Sequence, residues 1–129
     1  MISIRKWSSL AVLLAAGALT AQNPGAQRKV VKQADISVPG REAVIATVEI
    51  AVGGSAGKHT HPGEEITYVQ DGEGQLLVEG QSPLALRPGM GFVVPAGAKH
   101  DAKNTGSQPM HLVVVYVVEK GKPLATPAP

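Results

Sequence analysis

The stretch Gly53-Gly-Ser-Ala-Gly-Lys-His59-Thr-His61-Pro-Gly-Glu-Glu65-Ile-Thr-Tyr-Val-Gln-Asp-Gly72 brings two imidazoles and a carboxylate together between bounding glycines. His59 and His61 are two residues apart, so on an extended backbone both rings leave the same face. Pro62-Gly63 turns the chain, and Glu65 opens the next β-rich run on the parity of Thr67 and Val69. Parity does not carry across a turn, so the placement of Glu65 beside the two histidines is left to the fold. The neighbouring Glu64 reads as a solvated edge residue. Asp71-Gly72 is a turn signal of the hairpin kind.

A second stretch with the same punctuation runs from Gly89 through Pro95-Ala-Gly97 and His100 to Asn104. His100 could reach the first pair from a distant strand if the sheet closes on itself. Three imidazoles and one carboxylate suit Mn, Fe, Co, Ni, Cu or Zn, and supply too few oxygens for Ca. Four protein ligands on a six-coordinate ion leave two positions for water, dioxygen or a chelating substrate. His59, His61, Glu65 and His100 are therefore the candidate metal ligands, with Glu65 a candidate for a second role as catalytic base.

The surrounding sequence reads as short strands between turns. Arg41–Val52 alternates, with Val44, Ala46, Val48, Ile50 and Val52 on one parity. Glu65–Gln70, Gln75–Glu79, Leu84–Arg87 and Gly91–Val94 are further strands, and Asn23–Gln27 reads as a flexible lead. Met110–Val118 is apolar on both parities, which predicts a central strand covered on both faces. Roughly eight strands, with 15 Gly and 10 Pro in 129 residues and no sustained helical period, predict an all-β sandwich or barrel. The absence of Cys excludes disulfides, thiolate metal sites and a thiol nucleophile.

Residues 1–21 read as a secretory signal peptide. Arg5 and Lys6 precede the short apolar run Leu10–Leu19, and cleavage is expected after Ala18 or Ala21. The run is shorter than the roughly 20 residues of a membrane span. Cleavage removes two of the 12 basic residues, leaving ten against 10 acidic ones, a net charge of 0. No basic patch for nucleic acid and no lipid-surface segment remain. The expected organisation is a signal peptide (1–21), an N-terminal lead and edge strand (22–40), a barrel (41–119) and a Pro-rich tail (120–129) with little to offer a core. The expected location is the periplasm or the medium.

Residues 53–104 resemble the paired motifs of the cupin superfamily, with every defining position of both motifs filled and a 16-residue stretch, Glu73–Pro88, between them. The resemblance implies a double-stranded β-helix, or jelly roll, with a divalent transition metal at its centre. By position it makes His59, His61, Glu65 and His100 the ligands, and gives the glycines, Pro95 and Asn104 turn-shaping roles. It points to the quercetin-dioxygenase-like group, hence to a small chelating organic substrate and dioxygenase-like or related Lewis-acid chemistry. The competing class is a non-catalytic module that binds a small molecule or metal chelate. A homodimer is the partner expected by analogy, with Lys29–Val38 a candidate swapped or edge strand.

Other polar residues have plainer expectations. His111, on the parity of Val113, Val115 and Val117, is read as a core or rim histidine, with a pocket-facing role as the alternative. Tyr68 and Tyr116 are read as packing residues with surface hydroxyls, either able to donate to a ligand. Lys58, Lys99 and Asp101 flank ligand positions and are expected to point into solvent.

Overall fold

The computed structural model describes residues 25–129, so the expected signal peptide lies outside the described residues. Ten strands follow in order: β1 (Ala26–Asp35), β2 (Arg41–Ile50), β3 (His59–Thr60), β4 (Gly63–Asp71), β5 (Gly74–Val78), β6 (Leu84–Leu86), β7 (Gly91–Val94), β8 (His100–Asn104), β9 (Met110–Glu119) and β10 (Thr126–Pro127). There is no helix among the described residues, and accordingly none long and apolar enough to cross a membrane. The strands form two five-stranded sheets, β1-β2-β9-β4-β7 and β10-β3-β8-β5-β6, with every pairing antiparallel. This is the all-β jelly roll expected from the sequence.

The core lies between the sheets. Val44, Ala46 and Ile50 of β2, Met110, Leu112, Val114, Tyr116 and Val118 of β9 and Phe92 and Val94 of β7 come from one sheet, with Leu76 and Leu86 from the other. Each fully buried aliphatic side chain contributes about 1.5–3 kcal/mol. In β2 the alternation is read directly from sequence: Val44, Ala46 and Ile50 are buried and Ile45, Thr47 and Glu49 exposed. The strand stops at Ile50, leaving Val52 exposed.

Strand β9 is central, as its composition requires, but only one face is covered. Met110, Leu112, Val114, Tyr116 and Val118 are buried, while His111, Val113, Val115 and Val117 are half-buried on the outer face. The register aligns Ile45, Val115, Ile66 and Val93 in one row across four strands of that face. Ile45, Ile66 and Val93 are exposed. The expectation of a strand packed on both sides fails because no second layer overlies this face among the described residues.

Asp71-Gly72 does not make a hairpin. Strand β4 has both edges taken, by β9 and β7, and the chain crosses at Gly72 to β5 in the other sheet. Gly72 has φ +81°, and a Cβ there would lie 2.7 Å from the Met110 Cα, so conformation and space both require glycine. Gly63 is needed for space: a Cβ would stand 1.9 Å from the Val117 carbonyl oxygen, where β4 runs against β9.

The two ends of the chain complete the sheets. β1 begins at Ala26, inside the expected flexible lead, and pairs with β2 from Ala26↔Ile50 to Asp35↔Glu42. The tail is more than a Pro-rich extension: β10 pairs with β3 (Thr126↔Thr60, Pro127↔His59). Leu124 packs against the core.

Candidate metal centre

His59 and His61 leave β3 and its following turn toward the barrel interior, and His100 opens β8 directly opposite His59. Glu65 enters from β4, in the other sheet. Pro62-Gly63 carries the chain from one sheet to the other, so the first three groups of the leading stretch converge from two walls. The turn of the second stretch is tied to the first by the Gly97 amide, which donates to the His61 carbonyl at 3.1 Å.

The ring nitrogens are oriented by the backbone. His59 Nδ1 lies 2.6 Å from the Gly57 carbonyl, His61 Nδ1 2.6 Å from the Leu124 carbonyl and His100 Nδ1 2.9 Å from the Ala98 carbonyl. A carbonyl only accepts, so each Nδ1 carries a hydrogen, and in the neutral ring each Nε2 is left with its lone pair. Those lone pairs meet. His59 Nε2 is 3.1 Å from His61 Nε2, and Glu65 Oε2 is 3.0 Å from both His61 Nε2 and His100 Nε2. Thr67 Oγ1 donates to the other carboxylate oxygen, Oε1, at 2.7 Å.

This arrangement fits a metal ion. One donor atom from each of the four residues falls within 4.8 Å of the rest. For bonds of about 2.1 Å, ligands at right angles stand about 3.0 Å apart, close to the separations found. With all three Nδ1 atoms committed to carbonyls, four acceptors face one another, and a cation is what reconciles them. Carbonyl bonds to the far ring nitrogen are the usual second support of metal-ligating histidines.

The electrostatics agree. Burial alone would raise the Glu65 carboxyl, but its contacts with His100 and His61, which carry a proton on Nε2 when no cation is bound, and the Thr67 hydroxyl hold it well below the ordinary carboxylate range. Burial lowers His59, reinforced by the neighbouring His100 and His61. His100 is also opposed by burial, yet its bond to Glu65 and its Ala98 contact leave it raised.

The other candidates separate clearly. Tyr116, expected to pack with its hydroxyl at the surface, is 3% exposed as a whole, with its ring 4.6 Å from that of His61. Burial and the Glu65 charge push its phenol up to about 12, so it is a neutral donor at the site. His111 points outward and pairs with Glu49 at 3.2 Å, a rim position remote from the site. Tyr68 is half exposed on the outer face. Lys58 pairs with Glu79 at 2.7 Å on the surface. Asp101 departs from expectation: it is half-buried, and its Oδ1 has no hydrogen-bond partner. Asn104 is buried and shapes a turn, Nδ2 donating to the Ile50 and Gln108 carbonyls and Oδ1 accepting from the Gly106 amide.

Two contributors escape motif reading. The Leu124 carbonyl that orients His61 lies 63 residues away in the tail, and a backbone acceptor leaves no side-chain signal. Tyr116 leaves a faint one, a polar aromatic in a valine-rich strand, read from the sequence as able to donate to a ligand. A cavity of about 160 Å³ opens beside the cluster, with His59, Tyr116, Arg28 and Val48 in its wall.

Comparison with known proteins follows the same lines. Over 58 residues the chain is 38% identical to dimethylsulfoniopropionate lyase DddQ of Ruegeria pomeroyi, a match covering 45% of this chain and 28% of that protein. The chain thus spans less than a third of the length of the curated relative it matches. The crystal structure of that lyase superposes with a TM-score of 0.60 at 26% identity, over 67% of this chain and 43% of the other. A conserved Klebsiella pneumoniae protein with a double-stranded β-helix domain matches at TM-score 0.65 and 24% identity, over 81% and 87%. The cupin domain model matches residues 46–116, a span that holds all four converging side chains and more than half of the sequence, and the chain belongs to the cupin domain family.

Proposed function

We propose that this protein is an exported metal-dependent enzyme that acts on a small oxygen-donor substrate by Lewis-acid chemistry. The observation that carries the reading is the convergence of three Nε2 atoms and the Glu65 Oε2 beside a solvent-reaching cavity. His59, His61, Glu65 and His100 would hold one divalent transition ion. When bound, that ion would polarise a substrate oxygen and make neighbouring protons more acidic. The four donors leave positions for exchange, the mark of a catalytic or ligand-binding site rather than a closed structural one.

The chain's own residues supply orientation and exclusion. The Gly57, Leu124 and Ala98 carbonyls keep the rings aimed, and Thr67 fixes Glu65. Tyr116 offers a neutral phenol O–H to a substrate oxygen. Ala26, Val48, Ala56 and Ala125 line the cavity and limit what enters. Glu65, the base candidate of the sequence, is held so firmly ionised that it is a weak proton acceptor; ligand and fixed anion is its better role. The DddQ relatives support elimination chemistry over dioxygenation.

Export rests on residues 1–21, and the periplasm or medium is the proposed location. The metal is one of Mn, Fe, Co, Ni, Cu or Zn, with the affinity order favouring Cu and Zn where supply does not intervene. A homodimer through the apolar outer row Ile45–Val115–Ile66–Val93 is the proposed assembly.

The test is to load the purified protein with each metal in turn and offer dimethylsulfoniopropionate, 1,2-dicarbonyls and catechols, with and without oxygen. Oxygen-independent turnover supports the proposal, whereas substrate-linked oxygen uptake returns the dioxygenase. Tight binding with no turnover would leave a binding module, a reading favoured by the lack, among the described residues, of any strong base beside the cluster.

A further inference from the structure

The proposed metal centre forms only part of its cavity wall. The opposite side is built by β1, whose register pairs Ala26 with Ile50, Arg28 with Val48 and Val30 with Ala46. Ile50 and Ala46 are fully buried, so this parity of β1 lies on the barrel side of the sheet, at its open edge where Arg28 and Val30 remain exposed, and Lys29, opposite the exposed Thr47, faces out. Of Ala26, Arg28 and Val30, Arg28 is the charged residue. Its guanidinium carbon lies 5.8 Å from the centroid of the Tyr116 ring, over the ring face. Arg28, Tyr116 and His59 line the same cavity.

Three facts make this cation available to a ligand. First, Arg28 takes no part in any of the ion pairs among the described residues. Second, the one carboxylate of the metal cluster, Glu65, is already occupied by His61, His100 and Thr67. Third, contact with Tyr116 restrains the guanidinium, and its planar fork carries more N–H donors than one phenol oxygen can accept. A planar fork of donors is matched in geometry by a carboxylate, which it binds through two parallel hydrogen bonds. At about 160 Å³ the cavity falls below the roughly 300–1,000 Å³ of drug-sized ligand sites.

We propose that Arg28 determines substrate class: the site takes a small aliphatic carboxylate carrying a second oxygen or comparable donor, with the carboxylate on the guanidinium and the other donor turned toward the histidine cluster. The proposal deepens the enzymatic reading above and rests on it. It assigns specificity to an edge strand outside both histidine-bearing stretches.

The experiment compares 3-hydroxypropionate with its neutral amide, 3-hydroxypropionamide, by calorimetric titration of zinc-loaded protein and by NMR of metal-free protein. Wild type is expected to prefer the carboxylate at least tenfold. Arg28→Gln should bring the two ligands to within about twofold of each other, and Arg28→Lys should fall between, keeping charge without the fork. Lys29→Gln, which removes a neighbouring charge on the outer face, should leave the preference intact. No carboxylate preference in wild type, a preference that survives Arg28→Gln, or an equal loss in Lys29→Gln overturns the proposal. Zinc content measured on each variant keeps the two readings apart. Wild type that takes up no metal defeats the metalloenzyme, while the metal-free titration still decides Arg28.

Discussion

Two histidine–glutamate pairs in this molecule have nearly the same length and opposite settings. His100 and Glu65 meet at 3.0 Å with side chains 2% and 9% exposed, whereas His111 and Glu49 meet at 3.2 Å with side chains 43% and 55% exposed. In the first pair a second histidine, a threonine and a backbone carbonyl take up the remaining hydrogen-bonding capacity, and little of either side chain meets solvent. In the second, solvent competes for every lone pair. Contact distance alone therefore says little; the surroundings decide whether an imidazole and a carboxylate form a site or a surface ion pair worth at most about 1 kcal/mol.

The comparison is broken most forcefully from the inside. Glu65→Ala should remove the anion that three donors address, abolishing metal uptake and costing about 3–5 kcal/mol, the range for breaking a buried pair. Elemental analysis with a denaturant titration checks both effects, and His100→Ala should lose metal equally. Deleting residues 123–129 leaves every proposed ligand in place but removes the Leu124 carbonyl behind His61. Loss of such an outer partner typically weakens metal binding about 10–100-fold, measurable by competition with a chelator. Full affinity in the truncated chain would mean that His61 holds its tautomer unaided.

The outer surface should respond differently. Glu in place of both Ile66 and Val93 puts charge into the exposed apolar row. Sedimentation should then show monomer in place of the proposed wild-type dimer, with metal content unchanged. Smallest of all, His111→Ala should shift stability by no more than about 0.5 kcal/mol and leave metal content unaltered. A large effect there would show that the outer pair is covered in solution, which a dimer through this face could accomplish.

The contrast between the two pairs also marks what could be read from the chain. The His59, His61, Glu65 and His100 set was legible because each residue stands at a fixed offset from a glycine or proline turn, and turns are local chemistry. The choice of Glu65 over Glu64 followed from that spacing, and the fold buries the former. The face of His111 was not legible: alternation reports orientation only when one parity is polar, and β9 is apolar on both. The Asp71-Gly72 signal promised a reversal but not a partner strand, since pairing depends on which edges of β4 remain open.

By itself, then, the sequence determined the β architecture, through alternation and the density of glycine and proline, and, through motif spacing that resembles the cupin pattern, the candidates for the four converging groups. Only the tertiary structure decided that Tyr116 and Arg28 share their cavity, that the tail's Leu124 carbonyl aims His61, and that an apolar row is left on the outer face. These depend on contacts between segments far apart in the chain. Such contacts are selected by how the two sheets close around the core, and no local pattern of residues encodes them.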